Sequence, residues 1–159
     1  MQTTVLNTFG PGSVMYRFVL SYADLTSAAS TQQITLLALA KGTIIKGVRI
    51  KHGTLFSGGG LTTMTLSVDS STGGVGLFAS AFDIHQAVAD TTMEMVSGWK
   101  AGTYAADTLM CTFTCSGNVN IATAGIVTID VEMWQEPDLT GCGPFGTAGT
   151  AGAPTTPSL

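Results

Sequence analysis

Few residues in this chain have the types and the spacing that chemistry requires. Asp83 and His85 stand two apart, so on a β-strand they would share a face and could begin a metal site. No third ligand follows nearby in the sequence, and a lone pair falls far short of the constellation that a metal site or an active site needs. We therefore expect a protein that is not an enzyme, without catalytic, cofactor-binding or metal-binding residues.

The cysteines, a histidine and a glycine run have plainer interpretations than catalysis. Cys111 and Cys115 stand four apart on one predicted strand, about 13 Å from each other, which is too far for a disulfide. Cys111 alternates with core positions, and a buried free cysteine is usually inert. The run 58–60 lacks the Lys-Ser/Thr pair of a phosphate loop, so it predicts a turn. His52 is interpreted as the polar end of a strand.

The charge content argues against several classes of partner. Only 10% of the residues are charged, where about 25% is usual, and the net charge is −4. The basic residues cluster before residue 80 and most acids follow it, a split that favours contact between neighbouring subunits over nucleic-acid binding. No apolar run reaches the roughly 18 residues of a membrane span, and we expect neither a signal peptide nor an oxidising compartment.

The hydrophobic pattern predicts an all-β fold. About eight short strands with frequent turn signals indicate an antiparallel β-sandwich of the jelly-roll type, with extended N- and C-terminal arms. We divide the chain into an N-terminal arm (1–13), a sandwich domain (14–136) and a Gly/Ala/Thr/Pro-rich tail (137–159). The stretch 33–69 is interpreted as three consecutive strands forming a meander, which a second layer must cover.

Alternation along the predicted strands defines a core. The apolar residues that share the inward positions are expected to form one buried layer. They are Tyr16, Phe18, Leu20, Ile44, Val48, Ile50, Met64, Leu66, Val68, Leu109, Phe113, Val127, Ile129 and Val131.

Six residues are candidates for contact with a partner. Trp99 and Tyr104 share a loop, where they could stack on a sugar, anchor a protein partner or simply cap the core. The low-complexity tail offers Leu139 and Phe145 as its apolar anchors, and the basic strand offers polar contacts. The complete set is Trp99, Tyr104, Arg49, Lys51, Leu139 and Phe145.

Four segments carry a resemblance to a known class of protein. They read Ala-Lys-Gly-Thr-Ile-Ile from residue 40, Val-Arg-Ile-Lys-His from residue 48, Phe-Ser-Gly-Gly from residue 56 and Ala-Ser-Ala-Phe-Asp-Ile-His-Gln-Ala-Val from residue 79. In these segments the chain resembles small β-sandwich virion proteins of tailed bacteriophages, and the likeness extends over 14–134 but not over the tail. None of the four motifs is catalytic.

The resemblance implies a role in the virion without chemistry. Such proteins sit on or between capsid subunits and stabilise the shell, often as trimers. It implies as partners the major capsid protein and copies of the chain itself, and as location the capsid surface after synthesis in the host cytoplasm. A carbohydrate- or receptor-binding jelly-roll module of a phage fibre or tail is the alternative.

Overall fold

The computed structural model describes residues 1–8, 13–40, 43–72, 74–85, 94–96 and 107–135. Within these ranges the chain forms β-strands joined by turns, two of which, Tyr22–Asp24 and Val119–Ile121, are single 3₁₀ turns. The strands are β1 (Gln2–Thr8), β2 (Ser13–Ser21), β3 (Thr31–Leu39), β4 (Thr43–Ser57), β5 (Met64–Ser70), β6 (Gly74–Asp83), β7 (Glu94–Val96), β8 (Asp107–Cys115) and β9 (Ala124–Gln135).

The strands make two antiparallel sheets with an interleaved order. The first sheet runs β1-β2-β9-β4-β7 and the second runs β3-β8-β5-β6. Successive strands from β2 to β5 alternate between the sheets, and β9 returns to lie between β2 and β4. This is the double Greek-key winding of a jelly roll, so the predicted all-β sandwich is confirmed.

The meander predicted for 33–69 is wrong, although its three strands exist. β3 and β5 belong to one sheet and β4 to the other, so none of them pairs with its neighbour in sequence. Their ladder partners are β8 and β9, which come from the far end of the chain. The connection from Ser57 to Met64 crosses the end of the sandwich, and Gly58, Gly59 and Gly60 all adopt positive φ there, as the predicted turn requires.

Two residues of the predicted core are less buried than expected, and a bulge explains one of them. The register of β4 against β9 shifts between Ile45 and Gly47. Ile45 therefore faces the core, whereas Ile44 is half-buried on the outer side. Tyr16 is also half-buried, because it lies near the edge of the sandwich. The other twelve predicted core residues are buried.

The core is closed by aromatic packing against a glycine. Phe56 of β4 and Phe113 of β8 are fully buried, with ring centroids 5.8 Å apart. Gly125 of β9 has φ +139°, and a Cβ at that position would lie 2.4 Å from the Phe56 ring. The position therefore requires glycine both for its backbone conformation and for the close approach of this ring.

The two sheets differ in width by one strand. The residues predicted as an N-terminal arm include β1, which pairs antiparallel with β2 and extends the first sheet beyond it. Residues from β2 and β3 line one cleft, so β2 lies over β3 and β1 projects past the edge of the second sheet. The N-terminal amine of Met1 forms an ion pair with Asp24, which fixes the start of β1.

Candidate interaction surfaces

The outer face of the first sheet carries a row of charges across three strands. Arg17 of β2, Asp130 of β9 and Arg49 of β4 lie side by side in the register. The Arg17 guanidinium donates two hydrogen bonds of 2.7 Å to the Asp130 carboxylate, which is only 3% exposed. The hydrogen bond to Asp130 raises the pKa of Arg17. This bidentate pair fixes β2 to β9 and is a structural element of the face.

The same face has a surplus of basic side chains. Lys46 approaches Glu132 at 3.7 Å, which makes a second and looser ion pair. Arg49 and Lys51 have no ion pair in the described part of the chain. Among the described side chains of this face, four basic ones thus stand against two acidic ones, in a protein whose net charge is −4. Arg49 and Lys51, both predicted as contact residues, are the basic side chains of this described set without an ion pair.

An apolar ledge lies at the other edge of the first sheet. Val5 of β1 pairs with Tyr16 of β2, so both side chains point to the inner side of the sheet. Val5 is 56% exposed, because β1 projects past the second sheet and nothing described covers it. Leu6 lies at a register shift and is 39% exposed. The strand from Gln2 to Thr8 has no charge and no proline, which are the usual protections of an edge strand.

A cleft opens beneath this ledge between the two sheets. Its volume is about 120 Å³; most of the residues that line it are apolar, while polar atoms make up about half of its exposed wall. Tyr16, Ile34 and Leu37 along this border are partly buried hydrophobic residues that pack against the core. The residues that line the cleft are Val14, Tyr16, Leu37, Ala38, Leu39, Ala40, Thr43 and Met133. We call the inner side of β1, the outer edge of β3 and this cleft together the β1–β3 step.

The Asp83–His85 pair is a local structural motif. The Asp83 carboxylate accepts a 2.8 Å hydrogen bond from the backbone N–H of His85, and Nδ1 of His85 lies 2.6 Å from the carbonyl oxygen of Phe56. Phe56 N–H in turn donates to the Ile84 carbonyl at 3.1 Å. These bonds join the end of β6 to β4. No group of three metal-ligand side chains occurs among the described residues.

Two other residues with reactive side chains are part of the core. Burial and, to a smaller extent, the nearby Asp69 carboxylate raise the pKa of the Cys111 thiol to about 12, so the thiolate is scarce at neutral pH. His52 is 1% exposed rather than a polar strand end, since β4 continues to Ser57. The sequence interpretation missed it, although His52 shares the inward parity of Val48 and Ile50. Its Nδ1 has no hydrogen-bond partner among the described residues, and the centroid of its ring lies 5.7 Å from that of Phe82.

Asp107 organises the turn between β5 and β6 from the start of β8. Its carboxylate accepts hydrogen bonds from the Ser71 hydroxyl, from the Thr72 hydroxyl at 2.5 Å and from the Thr108 N–H at 2.7 Å. Burial by itself would raise the pKa of Asp107, but these hydrogen bonds together with one from Ser70 lower it well below its usual range. No sequence motif pointed to this cluster, because its members come from two distant segments.

Four of the six predicted contact residues lie outside the described residues. They are Trp99, Tyr104, Leu139 and Phe145. The structure thus locates only Arg49 and Lys51, which it brings together on the outer face of the first sheet. Nor do the described residues include a helix long and apolar enough to cross a membrane.

Two solved structures contain chains with a similar fold. A chain of the cyanophage Pam1 capsid asymmetric unit aligns with a TM-score of 0.56 and 18% identity, over 82% of this chain and 89% of that chain. A chain of the acid-stable capsid of the Helicobacter pylori bacteriophage KHP30 aligns with a TM-score of 0.50 and 11% identity, over 84% of this chain and 93% of that chain. No family model and no curated protein matches the sequence.

These likenesses concern the fold, since fewer than one residue in four is identical. Both alignments span most of either chain, so the whole sandwich is shared rather than one motif. The resemblance to phage virion structural proteins that the four sequence segments indicated is therefore confirmed at the level of architecture.

Proposed function

We propose that the protein is a non-enzymatic structural component of a phage virion, a decoration or cement subunit that stabilises the capsid. The observation that carries the proposal is the fold shared, along most of both chains, with proteins of two phage capsids. The candidate chemical groups support it, because Asp83 and His85 join two strands and Cys111 is buried with a raised pKa.

The partners that we infer are the major capsid protein and further copies of this chain. Arg49 and Lys51 supply charge for a capsid surface, and the β1–β3 step supplies an apolar edge. Trp99, Tyr104, Leu139 and Phe145 complete the inferred contact set. We infer a homotrimer on the outer surface of the capsid, assembled after synthesis in the host cytoplasm, with no role for nucleic acid or membrane.

The test uses particles that lack the chain. Deleting its gene should yield particles that release their genome at a lower temperature or in a milder osmotic shock than wild-type particles. Adding the purified protein should restore resistance, and a cryo-EM map of the restored particle should show the sandwich on the shell. If particles without the chain are equally resistant and do not bind it, the proposal is wrong.

Sedimentation of the purified protein tests the oligomeric state. A mass three times that of the chain at high concentration supports the trimer. A strict monomer at all concentrations would confine assembly to the particle surface.

The alternative is a carbohydrate- or receptor-binding module of a fibre or tail. Trp99 and Tyr104, which the sequence predicts to share a loop, favour it, because aromatic rings stack on sugars. A glycan array with the wild-type protein and Trp99→Ala separates the two functions. Two results together would favour the alternative: the wild-type protein binds a glycan that Trp99→Ala does not bind, and particles without the protein do not take it up when it is added.

A further inference from the structure

The β1–β3 step has the shape of a missing strand position. Counting the described strands, the first sheet has five and the second has four, and the unmatched position lies beside β3 and under β1. Among the described strands β3 pairs only with β8, so its other edge is open. A strand added there would continue the second sheet and cover the exposed side chain of Val5.

The chemistry of the step limits what that strand can be. Neither β1 nor β3 contains a charged residue, and Val14, Tyr16 and Met133 add apolar surface. A charged segment would lose its hydration there without gaining an ion pair. The occupant should therefore be extended and uncharged, with one apolar side chain for the cleft.

The chain itself contains such a segment. Residues 139–159 carry no charge, and 145–153 is a nine-residue run without proline, equal in length to the nine residues of β3. Phe145 is the only aromatic residue of the tail. The cleft of about 120 Å³ is close in size to a cavity of about 150 Å³ that accepts benzene. The glycines of the tail let its backbone lie close beneath β1.

The described chain ends beside the step. β9 ends at Gln135, which pairs with Thr43, and Thr43 lines the cleft together with Met133 of β9. The ten residues from Gln135 to Phe145 span at most about 35 Å when extended. That reach would let the tail of one copy enter the step of an adjacent copy in an assembly.

We propose that the β1–β3 step binds the C-terminal segment 139–153 of a second copy of this chain, with Phe145 in the cleft and the backbone paired with β3. The inference rests on the proposed function, in which copies assemble on a particle. It deepens that function by naming the surface and the segment through which copies join.

Disulfide trapping between two different variants tests the proposal. One chain carries Ala38→Cys or Ala40→Cys, at exposed positions of the cleft, together with Cys142→Ser. The other chain keeps its native Cys142, three residues before Phe145. Mild oxidation of the mixture should give a disulfide-linked pair on a non-reducing gel, beyond the pairs that each variant forms when it is oxidised alone, and only contact between the two different chains can form this excess. Cys111 and Cys115 are buried in both chains.

The matched control places the new thiol on the opposite face. Thr128→Cys with Cys142→Ser, on the outer face of the first sheet, should give little linked pair. Phe145→Ala in the second chain should lower the yield from Ala38→Cys roughly tenfold, as expected for the loss of one buried anchor, while Phe145→Leu should keep most of it. Thermal unfolding of each variant confirms that the sandwich is intact.

Failure of this inference is distinguishable from failure of the proposed function. If no linked pair forms in solution or on particles, or if Ala38→Cys with Cys142 retained links only within one chain, the segment does not join copies and the inference is wrong. Particles that still recruit the wild-type chain and gain resistance would leave the virion role standing. An equal yield from Thr128→Cys would also overturn the inference, since it would reveal random collision.

Discussion

The two surfaces of this molecule use opposite chemistry. On the outer face of the first sheet Arg17 pairs with Asp130 and Lys46 with Glu132, and two further basic side chains have no ion pair with a described residue. The described residues of the β1–β3 step carry no charged side chain, and their exposed groups are aliphatic side chains and the edge of a strand.

This difference predicts different roles for the two surfaces. Unpaired charges attract a partner at a distance and are screened by salt, with a range of about 8 Å at physiological ionic strength. An apolar edge acts only on contact, and it gains from the removal of water rather than from charge. The charged face should therefore govern how fast and how selectively a partner is met, and the step should govern how long it stays.

The largest expected effect concerns the core on which both surfaces depend. Ile50 and Ile129 are fully buried neighbours beneath the charged face. Truncating either to alanine should lower the free energy of unfolding by about 2–5 kcal/mol, since it removes buried methyl groups and leaves a cavity. Ile126→Ala, at a position that is 43% exposed, is the control and should change it by less than about 0.5 kcal/mol. Denaturant unfolding that reverses this ranking would show that the strand registers are wrong.

The next largest effect concerns the charged face, where removing the paired Arg17 should lower stability more than removing Arg49. Arg17→Met keeps an apolar stem but leaves Asp130 buried without its bidentate partner, so it should cost about 2–3 kcal/mol of stability. Arg49→Met should cost less than about 0.5 kcal/mol, because Arg49 has no ion pair in the described residues. If urea denaturation shows the same loss of unfolding free energy for both variants, Arg49 shares the Asp130 carboxylate and is not available to a partner.

A smaller effect should appear on acidification. The native pKa of Asp107 is lowered, so its hydrogen bonds stabilise the fold above the pKa of the unfolded state, near 4, and this contribution is lost as the pH falls toward the native value. Asp107→Asn should lower stability at pH 7 by about 1 kcal/mol and make it less dependent on pH below about 4. Glu132→Gln, whose carboxylate is solvent-accessible, is the control. If the Asp107→Asn protein loses as much stability on acidification as the wild-type protein, other carboxylates cause that loss.

Sequence patterns were sufficient for the sandwich because alternation is a local property. The apolar residues Val127, Ile129 and Val131, at alternate positions, predict a strand and its buried face without information from any other segment. The turn at 58–60 could be predicted for the same reason, since glycine tolerates the positive φ that it needs.

Pairing and bulges could not be read in this way. The meander failed because strand partners are chosen by the fit of whole faces, and β3 and β5 pair with β8 from far along the chain. Ile44 was wrongly predicted to lie in the core. A bulge shifts the alternation of inward and outward side chains by one residue, and the sequence carries no sign of it. The Asp107 cluster and the β1–β3 step could not be predicted from the sequence for a related reason, since each depends on segments that only the fold brings together.

The smallest expected change in stability comes from removing the tail. Deleting 137–159 leaves every described strand and the whole core in place, so the thermal midpoint should move by no more than about 2 °C, which corresponds to a few tenths of a kcal/mol for a domain of this size. Occupancy on particles should nevertheless fall, because the segment assigned to the step is gone. The remaining binding should then depend on the charged face, and so weaken more steeply as salt rises than binding of the full chain. Arg49→Gln with Lys51→Gln in the full-length chain gives the converse variant, whose binding should be less sensitive to salt. If the shortened protein binds particles as tightly as the full chain at every salt concentration, the tail is a passive linker, and the charged face alone carries attachment.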